Sequence, residues 1–202
     1  MKTSDFDLRH QNQHTESKIV ASLERIAQAF RVLLWQESKE HSLSPIQIQV
    51  LIFLLHHSQE KRKVSYLADE FNMTKATISD TVKTLYQKDL ISKQYLTDDS
   101  RSYIIQLTAK GESIAHRTSL FTSEIRAPID NLTEDQKTDM LLGLFEVIRH
   151  LNQQGVITIQ RMCMTCAYYQ PSKYDQPFCS LLNQSLSPTD LRMDCPEHQI
   201  IE

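Results

Sequence analysis

The run from Val64 to Gly111 restricts the fold more than any other part of the chain, because its segments change period and polarity in one telling order. Val64-Ser-Tyr-Leu-Ala-Asp-Glu-Phe-Asn72 is a short helical pattern. A turn leads into a second, Thr74-Lys-Ala-Thr-Ile-Ser-Asp-Thr-Val-Lys-Thr-Leu-Tyr86. Two β-rich segments follow, Ile91 to Thr97 and Tyr103 to Leu107, joined by the polar turn Asp98-Asp-Ser-Arg-Ser102. Helix, turn, helix, hairpin is the order of a winged helix-turn-helix. The predicted fold class is mainly α with a small β-wing, and the chemistry expected of it is nucleic-acid recognition, not catalysis.

The second helix carries that expectation. Thr74 is a good N-cap, and the helix start behind it offers free N–H groups and partial positive charge to a phosphate. Ile78, Val82 and Leu85 recur at helical spacing and should bury against the first helix. Turning about 100° per residue from that face puts Ala76, Ser79, Asp80 and Lys83 on the other side, with Lys75 and Thr77 at the flanks. Such short polar or cationic side chains can approach base edges. Ser and Thr bond several bases, Lys reaches guanine or phosphate, and Asp accepts from the cytosine amino group. A polar face alone is merely what any exposed helix shows; the wing directly after it is what turns the face into a candidate DNA surface.

In the wing, Tyr103, Ile105 and Leu107 alternate as one buried face of a two-stranded ribbon should. Arg101 stands at the tip, where a long cation can enter the narrow minor groove. Asp99 can accept from that guanidinium and fix its direction. An ordinary solvated turn with an exposed ion pair is the alternative.

Asp99-Ser-Arg101, followed by Tyr-Ile-Ile-Gln-Leu-Thr-Ala-Lys-Gly111, resembles the Asp-x-Arg wing and the Leu-Thr-x-x-Gly junction of MarR-type transcriptional regulators. Leu67-Ala68, Thr77-Ile78-Ser79 and Leu85 to Leu90-Ile91 fit the same pattern, and the resemblance spans roughly residues 16 to 153. It implies a major-groove helix from Thr74, Arg101 as minor-groove reader with Asp99 as its partner, and a pocket for a small-molecule effector. Asp89 stands where the family usually has Gly; Asp tolerates the left-handed conformation better than most residues, so the turn should be kept.

No stretch nears the roughly 18 uninterrupted apolar residues that cross a membrane, and the polar N-terminus lacks a signal peptide's apolar centre. A cytoplasmic chain is expected. The net charge is -3, yet Lys61 to Lys110 holds nine Lys or Arg against six Asp or Glu. That local excess suits an operator-specific binder better than a general DNA coat.

Residues 1–15 are polar and expected to be disordered, 16–155 to form the winged-helix and dimerisation domain, and 156–202 a separate tail. Ile19, Leu23, Ile26, Phe30, Leu33 and Leu34 follow helical spacing between Glu16 and Lys39. Ser44-Pro45 opens the next helix, with Pro at its first position. Lys61-Arg-Lys63 is a basic turn that could touch phosphates or simply be solvated. Thr108 should begin a helix ending near Pro128, and Thr133-Glu-Asp-Gln136 is a capping box for a helix stopped by Gly155. The outer helices carry more apolar surface than one small domain can cover. A two-fold homodimer is therefore expected, with reading helices ~34 Å apart on a pseudo-palindromic double-stranded operator.

All four cysteines lie near the end, as Cys163-x2-Cys166-x12-Cys179-x15-Cys195. In a cytoplasmic chain disulfides are the weaker explanation. Four thiolates are the ligand set of tetrahedral zinc or of an iron–sulfur cluster; metal-free redox thiols are a third reading. The third and fourth cysteines arrive singly, where structural zinc usually draws two close pairs. Tyr168, Tyr169, Tyr174, Phe178, Leu181 and Leu182 would sheathe a cluster from water. Cys166-Ala-Tyr168-Tyr169 with later single cysteines resembles the 4Fe–4S segment of high-potential iron–sulfur proteins and of the small subunits of glycyl-radical enzymes; Asp194-Cys-Pro-Glu-His198 replaces their Gly-rich element. The favoured cofactor is thus a 4Fe–4S cluster, with zinc as alternative, and metal binding is expected to drive folding of the tail. His198 could also ligate but reads as a bystander.

The expectation is a non-enzymatic regulator whose tail senses redox or iron status. The rivals are a repressor with a static zinc staple, and an electron-transfer or assembly module that uses the winged helix for protein contacts. No Gly-rich phosphate loop or nucleophile elbow supports a hydrolase or transferase.

Overall fold

The computed structural model describes residues 3–96, 99–173 and 176–200; the side chains at 96, 99–102, 172 and 173 lie outside the described residues. The chain divides into two compact units, Met1–Val64 with Ile78–Arg126, and Ser65–Thr77 with Ala127–Glu202.

The first unit begins with α1 (Leu8–Gln13) and α2 (Thr15–His41). Disorder was the expectation for residues 1–15, but Asp7 caps α1 by accepting from the N–H groups of Arg9 and His10. Ser17 then donates to Asp5 at 2.7 Å. Polar composition signalled disorder, yet local caps suffice to turn the segment. In α3 (Pro45–His56), Ser44 and Gln47 form a reciprocal capping box around Pro45. Its sequence is apolar nearly all round, and Ile48, Val50, Leu51 and Leu54 are wholly buried, as such a helix requires.

A 3₁₀ turn at Gln59–Lys61 leads to α4 (Val64–Glu70) and α5 (Lys75–Gln87). The hairpin follows as β1 (Ile91–Leu96) and β2 (Asp99–Leu107), antiparallel, pairing Ile91 with Leu107 and Tyr95 with Tyr103. The register breaks after Tyr95, and Leu96 pairs with Asp99. The backbone of Asp99 and Arg101 therefore belongs to a strand, where the sequence suggested a turn through Ser102. Of the expected alternating face, Ile105 is fully buried and Tyr103 and Leu107 half-buried.

Instead of one helix reaching Pro128, the chain forms α6 (Ala109–Thr118), a 3₁₀ turn at Ser119–Thr122, and α7 (Ser123–Asp130) with Pro128 inside it. Gly111 sits against the start of the wing: a Cβ there would lie 1.9 Å from the Leu90 carbonyl oxygen.

The second unit is built on α8 (Glu134–Gln153), opened by the Thr133–Gln136 capping box and followed by Gly155 at φ 70°. Beyond it, β3 (Tyr169–Lys173), β4 (Gln176–Cys179) and β5 (Gln184–Ser185) make a small antiparallel sheet in that order. Phe145 of α8 packs with Met162, Leu186 and Leu191 as a core of its own. Residues beyond 156 thus share a core with α8 and fall in the same compact unit, where the sequence suggested a separate tail from 156. Among the described residues, no helix is long and apolar enough to cross a membrane.

Candidate nucleic-acid interface and cysteine site

Thr74 starts α5 as its composition requires: its Oγ1 accepts the Thr77 N–H at 3.1 Å and lies 2.8 Å from the Thr77 hydroxyl. Ile78, Val82 and Leu85 are wholly buried. Thr74, Lys75, Ala76, Thr77, Ser79, Asp80 and Lys83 are all exposed. One continuous helix thus turns its apolar stripe inward and carries every residue singled out for base or phosphate contact on its free side. Thr81, which the periodicity left unassigned, is buried beside the stripe.

At the exit of α5, Asp89 takes the left-handed conformation expected of it, φ 58°, and Leu90 N–H closes on the Leu85 carbonyl at 3.0 Å. Two cations here are used internally. Lys88 donates to the Ser42 carbonyl at 2.7 Å and Lys110 to the Lys88 carbonyl at 3.0 Å. In the basic turn, Arg62 faces inward: Nε donates to the His57 carbonyl and Nη1 to Gln106, while its own carbonyl accepts the Ile105 N–H. That half-buried arginine fastens the wing to the end of α3. Lys93 lies 4.5 Å from the centre of the Tyr103 ring, within cation–π range. Thr97 and Asp98 fall outside the described residues, as do the side chains of Asp99 and Arg101, so the proposed tip contact has backbone placement only.

In the second unit, Cys163, Cys166, Cys179 and Cys195 are all free thiols and together line one cavity of about 170 Å³. Tyr169, Leu181, Leu182 and Leu186 form much of its apolar wall. A 3₁₀ turn at Cys163–Thr165 carries the first pair, and Cys179 ends β4 opposite Tyr169. Cys195 is held by its N–H to the Arg161 carbonyl at 3.0 Å. Two donors point at sulfur: the Arg192 N–H reaches Cys163 Sγ at 3.2 Å, and the Arg192 guanidinium reaches Cys195 Sγ at 3.7 Å. Burial pushes the Cys163 thiol up; the Arg192 N–H opposes this, and the neighbouring Cys195, Cys166 and Cys179 add to it. His198 lies outside the lining and its Nε2 is 3.1 Å from the Thr165 hydroxyl.

A closed tetrahedral zinc with Zn–S of about 2.3 Å brings its four sulfurs to about 3.8 Å of one another. Among the described residues, the one set of three ligand atoms mutually within 4.8 Å is Glu37, Glu40 and His41, and it contains no cysteine. No three of the four thiols meet that limit, so they are not drawn as close as a bound zinc would hold them; what they do offer is four thiols lining one cavity, the donor set of a thiolate-ligated metal centre. Arg161 and Arg192, which hold and polarise this site, had no signal in the sequence beyond standing near cysteines.

Residues 33–118 match the family model described as transcriptional regulator SarA/Rot. Over 111 residues the chain is 30% identical to the HTH-type transcriptional repressor YetL of Bacillus subtilis (strain 168), covering 52% of this chain and 65% of the repressor. Among solved structures, the S. aureus MepR–DNA complex superposes with TM-score 0.56 at 22% identity, over 68% of this chain and 99% of that one. Staphylococcus aureus MarR in complex with salicylate and kanamycin gives TM-score 0.59 at 18% identity, over 75% and 99%. The chain has the MarR-like winged-helix fold, mainly helical with a small antiparallel sheet.

Proposed function

We propose that the chain is a homodimeric DNA-binding transcriptional regulator whose operator affinity is set by a cysteine-ligated centre in its tail, a 4Fe–4S cluster. The observation that carries the first half is the division of α5, with Ile78, Val82 and Leu85 wholly buried and Thr74, Lys75, Thr77, Ser79, Asp80 and Lys83 offering an exposed polar and charged face. The YetL name and the MepR–DNA complex support the same reading. The MarR complex with salicylate and kanamycin supports a small-molecule effector as well. For the dimer, α2 leaves Ile19, Val20, Phe30, Val32 and Trp35 exposed, an apolar surface that a second copy would cover.

Lys75 and Lys83 would meet phosphate or guanine, Thr77 and Ser79 base edges, and Asp80 a cytosine amino group. Arg101, directed by Asp99, would enter the minor groove. Titrating the duplex upstream of its own gene at several salt concentrations tests this. Lys75→Ala and Lys83→Ala are each expected to weaken binding and to flatten the slope of log K against log salt by about one if that lysine meets phosphate. An unchanged slope in both would refute the phosphate contacts, and no duplex-specific binding at all would refute the regulator.

Cys163, Cys166, Cys179 and Cys195 are the proposed ligands. When bound, a cluster supplies a charge and a stability that respond to oxidation and to iron supply. The chain's own part is to border the site with the apolar surfaces of Tyr169, Leu181, Leu182 and Leu186 and to donate hydrogen bonds from Arg192 to two sulfurs. Protein purified without oxygen is expected to be brown, with iron and acid-labile sulfide in equal amounts. A colourless chain carrying one zinc would replace the cluster by a structural zinc.

A further inference from the structure

Arg161 is almost wholly buried, 8% exposed, and its guanidinium serves two masters. Its Nη1 and Nη2 donate to the two carboxylate oxygens of Glu70 at 2.7 and 3.1 Å, and Nη1 also reaches the Tyr66 hydroxyl at 3.0 Å. Nε donates to Asp194 at 2.8 Å. Glu70 and Tyr66 belong to α4, the first helix of the helix-turn-helix, whereas Asp194 immediately precedes the ligand Cys195. The backbone repeats the link: the Arg161 carbonyl accepts the Cys195 N–H, and the Cys163 N–H donates to the Arg192 carbonyl. A second tie runs alongside, from the Thr158 hydroxyl to the Asp69 carbonyl at 2.6 Å. The segment Ser65–Thr77, including the Thr74 cap, falls in the same compact unit as the tail.

From this arrangement we infer that Arg161 is the positioning residue through which the state of the four-cysteine site reaches the helix-turn-helix. The inference rests on the metal-centre reading above. At its Glu70 end the pair is buried and bidentate, so separating it leaves charge poorly compensated, while the more exposed Asp194 holds the other edge of the guanidinium by its hydrogen bond. Thiolates drawn onto a centre fix the 194–195 strand; Asp194 then fixes the guanidinium, and the guanidinium fixes the last turn of α4. Four residues beyond Glu70 the chain caps α5. Loss of the centre frees Cys195, and the same chain of contacts loosens the start of the reading helix.

The test compares amide exchange of residues 66–77 in full-length protein loaded with ferrous iron and sulfide and in protein stripped by chelator. In the wild type, loading is expected to slow exchange there by about tenfold, the usual scale of coupling between sites. In Arg161→Met and in Glu70→Gln the ratio of the two rates should fall to within about twofold, with iron content unchanged. A merely structural arginine would raise both rates together and leave their ratio intact, and that result in both variants overturns the inference. Should Arg161→Met fail to load, Glu70→Gln, which does not line the cysteine cavity, decides alone. Wild-type protein that loads but shows no difference at 66–77 also overturns it, whereas wild type that takes up no metal brings down the reading beneath it.

Discussion

Replacing Cys163 by serine is expected to abolish stoichiometric metal binding and to open residues 156–200 to protease at least tenfold faster, while the winged domain stays helical. Three features converge on this cysteine. It lines the cavity with the other three, it packs against the Phe145–Met162–Leu186–Leu191 core, and its sulfur accepts the Arg192 N–H. A serine oxygen is a poor ligand for zinc or iron in a thiolate site, and three sulfurs then stand around a polar gap. Structural zinc in zinc-finger peptides binds with about 10–16 kcal/mol in apparent terms, comparable to the whole stability of a typical domain, about 5–15 kcal/mol. Among the described residues the tail has five buried apolar residues, Met162, Cys166, Phe178, Leu186 and Leu191, and one short sheet. On the proposed metal-centre reading, loss of a term of that size is expected to leave the tail open to protease. Iron, zinc and sulfide analysis with limited proteolysis measures both halves. A serine variant that retains a full complement of metal and a resistant tail would remove Cys163 from the ligand set.

What could be foreseen and what could not divides along the range of the forces involved. The α5 stripe, the Ser44 and Thr133 capping boxes and the left-handed Asp89 are set by neighbours within a few residues, and their chemistry is visible in the string itself. So was the four-cysteine grouping, because spacing and residue type alone define a ligand set. The inward turn of Arg62 was hidden, because its Gln106 partner is 44 residues away and no local pattern marks it. Arg161 and Glu70 are 91 residues apart, so their meeting depends on how the tail settles after α8. The same limit explains the misplaced boundary at 155. Periodicity marked the apolar face of α8, but nothing local said that the tail would be what covers it.

Gly111→Ala sets two rules against each other, and the structure decides between them. Inside a helix, alanine is favoured over glycine by about 1 kcal/mol, so propensity alone predicts a more stable protein. Gly111, however, is in the first turn of α6, its N–H accepted by Thr108 Oγ1 at 3.0 Å. An added Cβ would lie 1.9 Å from the Leu90 oxygen, 2.8 Å from its carbonyl carbon and 3.2 Å from its Cα. These are backbone atoms, with no flexible end to swing aside. Leu90 is also where the wing begins, and its carbonyl accepts the Thr108 N–H at 3.1 Å while Thr108 Oγ1 donates to the Asp89 carbonyl at 2.8 Å. Relief demands that α6 retreat from the α5–β1 junction and strain both bonds. Overpacking of this kind costs about 1–3 kcal/mol, and each weakened hydrogen bond about 1 kcal/mol. The net expectation, after the helical gain, is a loss of about 2–4 kcal/mol, seen as a lower denaturant midpoint with an unchanged m-value. DNA affinity should fall with it, since the same junction sets the exit of the reading helix and the root of the wing. A midpoint that rises would mean that helix propensity governs this position and that the close approach of α6 to Leu90 is not a feature of the folded protein.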